Sequence, residues 1–208
     1  MPPMRGYKIY LSYPDDSVTE WVNARILAIG VCLNSELPEA VLTLIYSGID
    51  VIGWLDAPGG QQYAKEGSFV TWAERYISPT LHAIDGEQVK AADLYSARCG
   101  ILHVSSPMSS GTRKGETREI WYQFGGGTGG HALAVTGKEL QLVVDLEVLE
   151  RTFRDGCDKF LSELKSDSHR FKKANERAQQ LLKWGMGSIM SDEEVEAYRA
   201  DERAKQRP

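Results

Sequence analysis

The stretch 40–55, AVLTLIYSGIDVIGWL, restricts the possible folds of this chain more than any other. It is apolar on nearly every side, and Thr43, Ser47 and Asp50 are its polar interruptions. A helix that is hydrophobic all round has to be covered by other elements. A span of the hydrocarbon core needs about 20 such residues, so this run reads as too short for a membrane and as the buried centre of a helical bundle. Pro38 suits the first turn of that helix, predicted over 38–55. Gly48 and Gly53 each cost about 1 kcal/mol relative to Ala in a helix, and close approach by another backbone is the expected return. Asp50 is the odd residue. An unpaired buried carboxylate is very costly, so Asp50 faces a solvent seam, takes part in chemistry, or meets a cation, for which Arg98 and Arg75 are the candidates.

The flanking segments supply the cover. Ser17 and Glu20 have capping-box spacing, and Val18, Val22, Ile26, Ile29 and Leu33 follow at helical intervals, which predicts a helix over 17–35. A Gly-rich polar loop spans 57–67. Phe69, Trp72, Ala73 and Tyr76 form the next helix, capped by Ser68 and halted before Pro79. Ala92, Tyr95, Cys99 and Leu102 predict the core face of a fourth helix that Pro107 must end. After a polar segment, the runs 118–124 (REIWYQF), 131–136 and 141–144 are rich in strand formers, so a small β-hairpin or meander is expected. The loop at 125–130, GGGTGG, matches G-x-G-x-x-G, but no helix follows it; it reads as a hairpin tip, not a dinucleotide site. Asp145 can cap a helix to about 164 with Leu146, Leu149, Phe153, Cys157, Phe160 and Leu164 inward. Another covers 168–184, with Phe171, Ala174, Ala178, Leu181 and Leu182 on one side, stopped by Gly185 and Gly187. Ser191 and Glu194 cap a last, charged helix that frays toward Pro208. The expectation is one mainly α domain over 1–208: four core helices in 17–104, a loop and small β segment in 105–144, and C-terminal helices in 145–208.

The 208 residues are enough for a sizeable core. A net charge of −5 gives no general attraction to nucleic acid, so such binding needs a local patch. Cys32, Cys99 and Cys157 have no paired spacing and read as reduced core residues. No His, Cys, Asp or Glu grouping has metal-ligand spacing, and no metal or cofactor is expected. No apolar stretch follows a basic start, so no signal peptide is expected and the cytoplasm is the default.

The chemistry-bearing stretch is 93–107, DLYSARCGILHVSSP, with Arg98 and His103 five positions apart. On an ideal helix this spacing is about 140° around and about 7.5 Å along the axis. The two side chains therefore converge only if the helix ends at His103 or a second copy packs alongside. Arg98 could instead hold an acidic neighbour, and His103 could serve the helix dipole at its C-terminal end. From Arg98 to Arg118 the chain has four Lys/Arg (Arg98, Arg113, Lys114, Arg118) against Glu116, a local +3. That is either a solvated loop or a phosphate-guiding one.

The segment RCGILH, Arg98 to His103, placed near the end of a core helix, resembles the HEPN superfamily, whose mark is Arg, four to six residues, then His in a helical bundle. The resemblance covers roughly 17–103. The position after the arginine, usually small and polar in that superfamily, is Cys99. The resemblance implies an antiparallel HEPN-like bundle and a metal-independent endoribonuclease, set in defence or toxin–antitoxin systems. Single-stranded RNA, a second copy of the chain and an antitoxin or other protein would be its partners. In that chemistry the ribose 2′-hydroxyl attacks the neighbouring phosphate; His103 acts as base or acid and Arg98 grips the phosphate. Asp50, from its own place in the apolar helix, is the third catalytic candidate. Arg113, Lys114 and Arg118 would bind RNA. The alternative is a non-catalytic interaction domain that uses the same residues structurally.

Overall fold

The computed structural model describes residues 16–59, 63–104, 110–125 and 141–185. The elements run α1 (Ser17–Asn34), α2 (Pro38–Asp56), α3 (Glu66–Tyr76), α4 (Ala91–Val104), α5 (Ser110–Arg113), β1 (Glu119–Gln123), β2 (Gln141–Asp145), α6 (Leu146–Ser166) and α7 (Ser168–Gly185). The described part is mainly helical, with one small two-stranded sheet. The lead-in 1–15, the run 131–136, the glycines of 126–130 and the closing helix from Ser191 lie outside the described residues.

Helix α2 is the centre, as its composition demands. It packs against α1, α3, α4, α6 and α7, and Val41, Ile45, Tyr46, Ile49, Ile52 and Leu55 are fully enclosed. By length and composition alone the 19-residue helix could cross a membrane, a test that an enclosed core helix also passes. Its approach to α3 runs through Gly53, where a Cβ would lie 2.6 Å from the Ser68 carbonyl oxygen. At Gly48 the close neighbour is not backbone but the Phe153 ring, 2.9 Å from the same hypothetical atom.

Several boundaries follow local chemistry that the sequence places one step away. Asp16, not Ser17, caps α1 and accepts from the Thr19 N–H at 3.1 Å. Ser68 is the third residue of α3, and its hydroxyl accepts from the Lys65 N–H at 3.1 Å. Asp145 caps α6 as expected, accepting from Glu147 and Val148. The predicted inward stripe of α6 is buried at all six positions.

The expected hairpin is corrected. β1 and β2 run parallel, in register Glu119↔Gln141 through Gln123↔Asp145. A two-residue turn cannot join parallel strands; they need a long crossover, and here residues 124–140 connect them. Ile120, Leu142 and Val144 face the core. The turn after α3 joins the far edge of β2, where the Ile84 N–H donates to the Val143 carbonyl at 2.8 Å.

Candidate functional site

Helix α4 carries the site, and its start is fixed by Asp93. This buried carboxylate accepts from the Lys90 N–H at 3.2 Å, inside the first turn. It also accepts from the Arg118 backbone N–H at 2.9 Å, Nη2 at 2.7 Å and Nε at 3.1 Å. The helix is thereby pinned to the start of β1. Its core face is Ala91, Leu94 and Ala97, with Asp93 and Ser96 also buried. The expected stripe is turned away: Ala92 is exposed, and Tyr95, Cys99 and Leu102 are half-buried. Apolar periodicity misplaced the face because two polar residues on it, Asp93 and Ser96, find partners inside.

That rotation points Arg98 at α2. Its Nε lies 2.7 Å and its Nη2 2.6 Å from Asp50 Oδ2. The side chains of Arg98 and Asp50 are 21% and 13% exposed, so the ion pair is mostly desolvated. Arg75, the other candidate, pairs with Glu163 at 2.6 Å. Burial pushes the Asp50 carboxyl above its ordinary range, against the pull of Arg98 and His103. At Arg98 burial acts downward, but the Asp50 carboxylate outweighs it and the guanidinium is pushed up. The partners differ because the carboxylate is the more enclosed of the two, so the cost of desolvation falls on Asp50.

His103 joins them within one chain. Arg98 Nη1 lies 3.1 Å from His103 Nε2. The wheel angle suggested that the pair would need a helix end or a second copy; the long arginine side chain instead closes the gap one residue before the end of α4. A guanidinium only donates, so in this contact Nε2 accepts and a neutral ring carries its proton on Nδ1. The imidazole is exposed. Besides Asp50 and His103, the neighbouring Cys99 side chain also hydrogen-bonds the guanidinium. Arg98 therefore joins a buried carboxylate to an exposed imidazole.

Around the triad lies an aromatic row. The Tyr122 and Tyr46 hydroxyls hydrogen-bond, linking β1 to α2. Tyr46, one helical turn before Asp50, stacks with Phe69 at 6.5 Å between centroids. Phe69 meets Tyr95 in a T-shaped contact at 5.4 Å. Tyr95 is three residues before Arg98 on α4, its ring half-buried.

The basic loop divides. Arg118 is committed to Asp93 and to the Gln88 carbonyl, which accepts from Nη2 at 2.6 Å. Arg113 and Lys114 face solvent. Thr112 and Thr117 bind the Ser96 hydroxyl at 3.1 and 2.8 Å, which anchors the loop about 10.5 Å of helix rise before His103. The three cysteines are free, and among the described residues no three His, Cys, Asp or Glu side chains gather as a metal-ligand group. Asp93 was missed from sequence; its place as the third residue of a helix, the spacing of a capping carboxylate, was the available signal. No family model, curated protein or solved structure matches the chain.

Proposed function

We propose that the chain is a metal-independent endoribonuclease whose active centre is Asp50, Arg98 and His103. The single observation that carries this reading is the Arg98 guanidinium, held by Asp50 at 2.6 Å and touching His103 Nε2 at 3.1 Å. An RNA phosphate would bind the Arg98 guanidinium through Nη1, a charge-assisted contact suited to that anion. Its arrival competes with His103 for Nη1 and frees the Nε2 lone pair. Nε2 then accepts the proton of the ribose 2′-hydroxyl, whose oxygen attacks phosphorus. The bond to the 5′-oxygen breaks, that oxygen takes a proton from the imidazolium, and a 2′,3′-cyclic phosphate and a 5′-hydroxyl result. Arg98 offsets the added negative charge on the phosphoryl oxygens. The resemblance of Arg98–His103 to the HEPN motif supports the same chemistry. Because both side chains meet inside one chain, a two-fold dimer is not required to assemble them; it would only set two such centres across one groove.

A second reading, a non-catalytic interaction domain, is favoured by the desolvation of the Asp50–Arg98 pair, which suits a bundle clamp equally well. Cleavage of single-stranded RNA in the presence of EDTA separates the two. The wild-type chain is expected to cut and His103→Ala to lose activity by at least a hundredfold, with the melting temperature unchanged. A pure wild-type sample that cuts no RNA leaves the interaction-domain reading in its place.

A further inference from the structure

We propose that Tyr95 seats the nucleobase next to the phosphate gripped by Arg98. The inference rests on the ribonuclease reading above and names what that reading leaves open, the feature that holds the nucleotide in place.

Position argues first. Residues three apart on a helix have Cβ atoms about 5–6 Å apart on one surface, close to the spacing between a phosphate and the base of an adjoining nucleotide. Tyr95 and Arg98 have this relation on α4. Support argues second. The Tyr95 ring meets Phe69 in a T-shaped contact, and Phe69 itself stacks on Tyr46 beneath Asp50. A T-shaped contact covers at most one face of either ring, so at least one Tyr95 face is left by it. A braced ring loses little freedom when a base lands on it. Charge argues third. Burial pushes the Tyr95 hydroxyl up, with the nearby Cys99 and Glu66 acting in the same direction, so the phenol is neutral at neutral pH. Glu66 repels a phosphate from this spot yet leaves an uncharged base unopposed, while Arg98 attracts the phosphate one turn on. The polarity of the surface thus separates a base seat from a phosphate seat. A duplex keeps its bases stacked on one another, and only a single strand can give one up to an aromatic side chain without unpairing.

The test uses a short single-stranded RNA with 2-aminopurine beside a 2′-deoxy cleavage position, which the wild-type chain can bind but not cut. Stacking on Tyr95 is expected to quench its fluorescence. With cleavable RNA, Tyr95→Leu, which keeps an apolar contact for Phe69, should raise KM about tenfold with little change in kcat, and Tyr95→Phe should behave like the wild type. The matching duplex should be cut at least tenfold more slowly. An unquenched probe overturns the proposal even if Tyr95→Leu fails to fold. So does loss of activity in Tyr95→Phe equal to that in Tyr95→Leu, or equal cutting of duplex and single strand. If the wild type cuts RNA while these results fail, the base seat alone is wrong; if it neither binds nor cuts RNA, the ribonuclease reading falls with it.

Discussion

Arg98 meets two demands at once: it neutralises Asp50 inside the bundle and holds His103 at the surface. Substitutions separate them. His103 is exposed, so His103→Ala should change stability by no more than about 0.5 kcal/mol, measurable by urea denaturation beside the cleavage assay. Arg98→Ala should lose activity and also stability, by about 2–3 kcal/mol at neutral pH, short of the roughly 3–5 kcal/mol seen for fully buried pairs because both side chains retain some solvent. Its pH dependence identifies the cause. The folded Asp50 carboxyl already lies above its ordinary 3.8 through burial, and loss of Arg98 raises it further. Over that window the folded state holds more protons than the unfolded one, so stability falls as pH rises. The deficit of Arg98→Ala should therefore shrink toward pH 4, and adding Asp50→Asn should flatten the profile. A deficit that is constant from pH 4 to 7 would rule out Asp50 as its source.

Helix α4 shows how an element is aimed. Its apolar content alone predicts a face built on Tyr95 and Cys99, but Asp93 and Ser96 turn inward because Arg118, Thr112 and Thr117 satisfy them. Buried polar groups with good partners lose little on folding, and hydrophobic periodicity does not register them. At the α2–α3 crossing the restraint is steric. Gly53→Ala would bring a Cβ to 2.6 Å from the Ser68 carbonyl oxygen; overpacking costs about 1–3 kcal/mol and exceeds the helix gain of about 1 kcal/mol. Gly30, inside α1, has nothing within 4 Å of the same atom. Gly30→Ala should therefore stabilise by up to about 1 kcal/mol while Gly53→Ala destabilises, a difference in sign that denaturation midpoints will show.

Across the molecule, α7 closes the bundle with arginines. Buried Arg177 donates to the carbonyls of Trp54, Ala57 and Pro58 at 2.7, 2.8 and 3.0 Å, covering the C-terminal end of α2. Arg177→Met should cost about 2–4 kcal/mol, since charged donors contribute about 1.5–3 kcal/mol per bond, and hydrogen exchange should speed up in α7 before the rest. Arg170 binds both Asp56 oxygens at 2.6 and 2.8 Å, and the Tyr76 hydroxyl at 2.9 Å. The Tyr76 hydroxyl in turn donates to Glu163 at 2.7 Å. That bond, more than the charges of Arg75, Lys159 and Arg170, holds the Glu163 carboxyl below its ordinary 4.5. Here the folded state holds fewer protons than the unfolded one, so the contribution is present above pH 4.5 and is lost as pH falls below it. Glu163→Gln should make the acid limb of the stability profile shallower, the reverse of the slope set by Asp50.

The helical architecture was legible in the chain because burial leaves a repeating trace. The six inward residues of α6 and the all-round apolarity of α2 can be read without coordinates, while Asp50 stands out there only as a carboxylate that needs either solvent, chemistry or a cation. Tertiary structure decided what depends on distance between remote segments. It chose Arg98 over Arg75 for Asp50, made the strands parallel through a crossover of 124–140, turned α4 onto Asp93, and took Arg118 out of the solvent-facing basic set. It also brought Arg98 to His103 despite their separation on the wheel. Periodicity describes where side chains leave the backbone, whereas a long guanidinium reaches wherever the surrounding carboxylates and imidazoles draw it.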